Sequence, residues 1–254
     1  MSDPTAHGGF DAEITSNLET PSVALAIGAH PDDVEFGCGG TLAKWAAAGC
    51  LIHHLVCTDG SKGSWDPEQD RAELVSLRRQ EQRDASVQLG GAGRVAFLGY
   101  VDGELEAGMT ARGRVAYEIR RLKPDVVLAH DPWKRYRLHP DHRNAGFLAL
   151  DAVVAARDPH FFPEQDQPPH RPKRILLWEA DSPDHLEDIS GFEEQKLRAL
   201  LAHHSQFEST MRIDDDGNAE QVRAFSERLK ARYEAAGSPL GLAAAEAFKL
   251  IPDV

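Results

Sequence analysis

The chain has 254 residues, 41% hydrophobic and 27% charged, and a formal net charge of −13. That apolar content supports a sizeable core and excludes wholesale disorder, while the acidic balance sets the surface against nucleic-acid phosphates and anionic membranes. No apolar run approaches the ~18 residues of a membrane span, the first 22 residues are too polar for a secretory segment, and three cysteines without a C-x-x-C fit neither a disulfide scaffold nor a cysteine zinc site, so a cytoplasmic protein without a nucleic-acid partner is expected.

Residues 1–21 show no periodicity and read as an N-terminal arm; residues 22–254 read as a single domain. Residues 23–29 are short and apolar, as a buried parallel strand should be. A helix over 39–48 ends at Gly49, and a second strand follows over 51–58. A turn-rich loop over 61–70 leads into a long charged helix over 68–89, whose face carries Leu74, Leu77, Ala85 and Leu89. Then come a strand over 94–100, a helix over 110–122 stopped by Pro124, and a fourth strand over 125–130. A helix over 141–156, a proline-rich loop over 158–172 and a fifth strand over 174–179 complete the alternation. Two further helices are expected over 192–204 and 219–236, with a loop around 214–218 between them.

Repeated β-α-β units imply an α/β fold of Rossmann-like type, a mostly parallel sheet with helices on both faces. Such sheets bind ligands at the carboxyl ends of their strands, where the strand order reverses. In an order 3-2-1-4-5 the first and fourth strands are neighbours, and the loops after both carry a histidine–carboxylate cluster. The first is His30-Pro31-Asp32-Asp33, followed by Gly37-Cys38-Gly39-Gly40-Thr41; the second is His139-Pro140-Asp141-His142. Either alone reads as a polar turn. Together, at the expected crevice, they point to a metal.

Catalytic zinc usually keeps three protein ligands and an open position. His30 and Asp33, three apart on a tight loop, supply two, and His142 the third. Two histidines and a carboxylate suit non-haem Fe²⁺ as well as Zn²⁺, so composition leaves the ion open at one per chain. Asp32 is left as a carboxylate beside the ion, which is what a general base for hydrolysis needs. His139 is a second imidazole, with Asp141 placed to orient it. His130 ends the fourth strand, and a supporting role behind the site and a core role weigh equally. His203 and His204, on a late helix, read as packing or loop-bracing residues. The glycine loop lacks G-x-G-x-x-G, which argues against a dinucleotide site, and the spare carboxylate argues against a purely structural metal module.

The stretch from Ala29 to Thr41 resembles the signature of the PIG-L/LmbE-like zinc-dependent N-acetylglucosamine deacetylases, and His139-Pro140-Asp141-His142 resembles their second motif. Thr58-Asp59-Gly60, then Arg78, Glu81 and Ala85 before Leu89-Gly90, Leu98-Gly99-Tyr100 with Asp102, and His204-Ser205-Gln206 extend the match in order. The resemblance implies zinc on His30, Asp33 and His142, Asp32 as base, and His139 with Asp141 as the charge-stabilising or acid pair. It implies that Arg78 and Asp102 bind sugar hydroxyls and that Tyr136 or Arg137 polarises the carbonyl. It further implies that a small-molecule amino-sugar conjugate loses its acetyl group; an amidase acting on a mycothiol-type conjugate or another secondary-metabolite amide is the alternative. A homo-oligomer is compatible with it.

Overall fold

The computed structural model describes residues 14–214 and 218–254. Its eight strands are β1 (Thr15–Ser16), β2 (Val23–Gly28), β3 (Leu51–Thr58), β4 (Val95–Tyr100), β5 (Val126–His130), β6 (Arg174–Trp178), β7 (His185–Asp188) and β8 (Ala245–Pro252). The described residues also form six α-helices, α1 (Asp33–Ala47), α2 (Arg71–Gln88), α3 (Met109–Leu122), α4 (Pro140–Arg157), α5 (Glu193–Leu201) and α6 (Ala219–Gly237).

One sheet contains all the strands, in the order β1-β7-β8-β6-β5-β2-β3-β4. Its run β4-β3-β2-β5-β6 is parallel throughout and reproduces the expected 3-2-1-4-5 order. β2 and β5 are apolar along their length because helices cover both faces. Leu25, Ile27, Val127 and Ala129 pack on one face with Val115 and Ile119 of α3 and Leu148 and Val153 of α4. Ala24, Ala26, Val126 and Leu128 pack on the other with Leu42 and Trp45 of α1, Ala85 of α2 and Ala199 of α5. The chain therefore leaves β2 toward one face and β5 toward the other, and the crevice between them is the switch point.

Three strands were not anticipated. β8 runs antiparallel against both β6 and β7, and β1 adds two residues beside β7. The expected arm over 1–21 thus reaches the sheet at Thr15; its residues 1–13 lie outside the described residues, as do 215–217 of the expected 214–218 loop. α1 starts at Asp33 rather than at 39, so its glycines are helical. They are there because large neighbours press on them: a Cβ on Gly37 would lie 2.5 Å from the Trp178 ring, and one on Gly40 2.8 Å from Ile189. Non-helical angles at Cys38 (φ −148°, ψ 18°) kink the helix between them. α4 starts where Pro140 occupies its first turn, the position at which a missing N–H costs nothing.

Candidate active site

The turn between β2 and α1 holds His30, Asp32 and Asp33, and the start of α4 beyond β5 holds His139, Asp141 and His142. Asp102 follows β4, and Glu179 follows β6. All but Asp141 line a cavity of about 620 Å³, within the range of small-molecule sites.

His30, Asp33 and His142 converge. His142 Nε2 is 3.2 Å from His30 Nδ1 and 3.3 Å from Asp33 Oδ1, and His30 Nδ1 is 3.4 Å from Asp33 Oδ2. The other nitrogen of His30, Nε2, faces two carboxylates, Asp102 Oδ1 at 3.1 Å and Asp141 Oδ2 at 3.2 Å. A carboxylate only accepts, so the neutral ring carries its proton on Nε2 and has its Nδ1 lone pair for an ion. Burial lowers the His30 pKa, but Asp102, Asp141 and Asp33 outweigh it and raise it, so an ion at Nδ1 displaces a proton. Burial, with three neighbouring imidazoles, holds His142 down to about 4, so it is neutral near pH 7. Burial opposes ionisation of Asp33, but His142 and His130 outweigh it and keep the carboxyl well below its usual range. A neutral imidazole and an ionised carboxylate are what a divalent cation requires. The donor set fits a metal with one adjustment: Arg137 Nη1 is 2.9 Å from His142 Nδ1. Arginine only donates, so ligation through Nε2, which puts a proton on Nδ1, requires Arg137 to turn aside.

Asp32 lies beside this set at the head of α1. Burial pushes its carboxyl up to about 6, against the pull of Arg78, whose guanidinium is 3.5 Å away. Its backbone is left-handed, φ 104°, and its N–H donates to Gln82 Oε1 at 3.0 Å. Gln82 is fully buried and also donates to Glu35 Oε1 at 2.7 Å, with His203 Nε2 3.4 Å from the other Glu35 oxygen. His203 is thus buried in a polar layer behind Asp32.

Several expected partners are arranged differently. The Asp141 carboxylate does not meet the His139 ring. It turns to His30 and accepts from the backbone N–H groups of Gly103 at 2.6 Å and Leu105 at 3.2 Å. What His139 receives from Asp141 is the backbone N–H, on Nδ1 at 3.3 Å, because His139 caps α4. That leaves His139 Nε2 as the protonated nitrogen. Arg78 reaches the crevice, but its amino groups donate to Pro31 O at 2.6 Å and Gly60 O at 2.9 Å, which ties two loops to α2. Gly63 packs so closely on this guanidinium that a Cβ would lie 2.2 Å from it. Asp102 likewise spends one oxygen on His30 and the other on the N–H of Lys62 at 3.1 Å; these contacts outweigh its burial and hold it at about 2. Of the two candidates before the second motif, Arg137 turns inward onto His142 and Glu179, 2.6 Å from the latter, whereas Tyr136 is 92% exposed.

The residues missed by sequence reading are Trp178, Glu179, Glu35 and Gln82. Glu179 ends the stretch expected as the fifth strand and so stands at the ligand-binding edge; that position was the available signal. Glu35 and Gln82 show none, because their roles depend on contacts 47 residues apart.

A mostly parallel α/β sheet whose switch point gathers imidazoles and carboxylates around one cavity defines a class, the α/β proteins that hold a ligand at the carboxyl edge of the sheet. Comparison with known proteins narrows it. Residues 25–153 match the family model for PIG-L, GlcNAc-PI de-N-acetylase, and the chain belongs to this family. It is 36% identical to a diacetylchitobiose deacetylase of Thermococcus kodakarensis over 201 residues, 78% of this chain and 75% of that protein. It is 32% identical to a 1D-myo-inositol 2-acetamido-2-deoxy-alpha-D-glucopyranoside deacetylase of Streptomyces avermitilis, over 57% of each chain. The solved N,N'-diacetylchitobiose deacetylase from Pyrococcus horikoshii superposes with a TM-score of 0.82 at 30% identity, covering 91% of this chain and 84% of that one.

Proposed function

We propose that the chain is a hydrolytic deacetylase that removes the acetyl group from an N-acetylated amino sugar, with one divalent ion, Zn²⁺, held by His30, Asp33 and His142. The convergence of these three donors beside the spare carboxylate of Asp32 carries the reading. The deacetylase relatives support its substrate class. Strands drawn from both halves of the chain support a single domain, which β1 extends from residue 22 back to Thr15.

An ion bound there would supply a Lewis acid, lowering the pKa of a coordinated water and polarising the acyl oxygen. Asp32, kept ionised by Arg78, takes a proton from the attacking water as the new C–O bond forms and becomes neutral, so the negative charge passes to the acyl oxygen. Arg78 also holds the loop that carries Asp32 through the Pro31 and Gly60 carbonyls. His139, with its proton on Nε2, faces the cavity and gives a hydrogen bond to the acyl oxygen as negative charge develops there. The C–N bond then breaks, the proton held by Asp32 passes to the amine, and acetate and the free amino sugar leave. Arg137, released from His142, is the cation placed to share in holding the acyl oxygen. Asp102 and Arg78 are positioned at the cavity wall, where a sugar ring would meet them after their structural bonds are counted.

The test pairs metal analysis with acetate release. One equivalent of zinc, and a higher kcat/KM on an N-acetylglucosaminide than on an N-acetyl amino acid, are expected. Metal that stays bound in His142→Ala would overturn the ligand set; no preference for the sugar would overturn the amino-sugar reading. Release of a thiol conjugate without acetate would favour the amidase.

A further inference from the structure

His130 and Trp178 stand side by side because β5 and β6 are parallel with these two residues in register. Both are buried, at 1% exposure, and the indole Nε1–H donates to His130 Nδ1 at 3.0 Å. An indole N–H cannot accept, so Nδ1 must offer a lone pair and the ring proton is left on Nε2. That nitrogen makes no well-aligned hydrogen bond among the described residues; the acceptor within reach is Asp33 Oδ2 at 3.1 Å. Glu179 Oε2 is 3.8 Å from Nδ1, too far to compete with the indole. Asp33 Oδ2 already accepts the His30 backbone N–H at 2.7 Å. The His30 N–H bond and the nearby His130 Nε2 both lie on the Oδ2 side, which leaves Oδ1, the oxygen facing His142 Nε2, for an ion. The His130 ring also stacks on His142, with centroids 4.4 Å apart and planes 16° from parallel.

We infer that Trp178 and His130 are positioning residues for the metal site: the indole N–H fixes His130 as the Nε2–H tautomer, and that N–H turns the Asp33 carboxylate so that Oδ1 is presented to the ion. The inference rests on the metal reading above. Without the indole donor, His130 can move its proton to Nδ1, toward Glu179, and a lone pair then faces Asp33. Loss of such supporting hydrogen bonds typically costs ~10–100-fold in metal affinity. The Gly37 backbone packs against the Trp178 ring, so an aromatic must remain at that position in any test.

The experiment is competitive zinc titration against a chromophoric chelator on wild type, Trp178→Phe, His130→Gln and His130→Leu, with the ¹⁵N shifts of the His130 ring recorded in the apo and zinc-loaded wild type. Trp178→Phe keeps the ring and removes the donor; zinc affinity should fall ~10–100-fold. Glutamine can place an N–H near the position of Nε2, so His130→Gln should retain more affinity than His130→Leu. The wild-type spectrum should show a pyridine-like Nδ1 and a pyrrole-like Nε2. An Nδ1–H tautomer in the wild type, or equal affinity in the Gln and Leu variants, would overturn the inference even if Trp178→Phe failed to fold. Wild type that binds no zinc would instead sink the metal reading itself.

Discussion

Asp32 holds a backbone conformation, φ 104°, that costs an L side chain and persists where surrounding contacts over-determine it. Those contacts are the Gln82 bond to its N–H and the Arg78 bond to the neighbouring Pro31 carbonyl. Asn shares the shape and tolerance of Asp but cannot take a proton. Asp32→Asn should therefore lower kcat by ~10²–10⁴-fold, with zinc still bound at one equivalent. Near-normal turnover with metal retained would move the base elsewhere, first to His139. The three candidate ligands and Asp32 were readable because each sits in a short motif at a sheet edge fixed by the β-α-β pattern. Their partners were not. Asp141 is two residues from His139, yet its carboxylate serves His30, 111 residues away, because helix capping gives His139 the Asp141 backbone N–H instead. Arg78 and Asp102 line the cavity, but the atoms they bond could be known only from the fold.

At the scale of elements, α1, α5, α6 and β8 are joined through one buried ion pair. Lys196 of α5 meets Glu246 of β8 at 2.6 Å and lies over the Tyr233 ring of α6. Glu246 also accepts the N–H groups of Gly40 and Thr41 and the Thr41 hydroxyl. Removing one charge strands the other. Glu246→Gln should cost about 3–5 kcal/mol in urea unfolding, and Lys196→Met added to it should recover part of the loss. No recovery would mean that the hydrogen bonds to α1, not the charge, dominate. A second tie joins β7 to the start of the chain. Glu187, buried, meets Lys44 and His185 and accepts the Leu18 N–H; burial alone would raise its carboxyl, but these partners hold it below the ordinary value. A depressed carboxyl contributes stability above its unfolded value of about 4.3 and loses it as pH falls through the folded value. The Tm gap between wild type and Glu187→Gln should be widest near neutrality and close on acidification below about pH 4. A gap independent of pH would mean that Glu187 acts by packing. β7 and β8 escaped the sequence reading because Glu187 and Glu246 interrupt their apolar pattern, and the partners that let these carboxylates be buried come from distant segments.

In the whole molecule, the candidate ligands come from two segments that share a cavity only because β2 and β5 are neighbours and their helices leave toward opposite faces. His30 and Asp33 belong to the first segment and His142 to the second, more than 100 residues apart. An ion that bridges them binds the folded chain and not the unfolded one, so it must stabilise the fold by mass action. At a free concentration 1,000 times Kd the gain is about 4.1 kcal/mol. For a chain of this size that corresponds to a Tm rise of ~8–16 °C. Zinc-loaded protein should therefore melt well above chelator-treated protein, and the rise should grow with free zinc. His142→Ala removes the ligand from the second segment, leaving two donors on one turn that no longer join β2 to β5. Its Tm should barely respond to zinc, whereas Asp32→Asn, with all three ligands intact, should respond as the wild type does. A zinc-dependent Tm that survives in His142→Ala would place the ion elsewhere; one lost in Asp32→Asn would make Asp32 a ligand instead of the base.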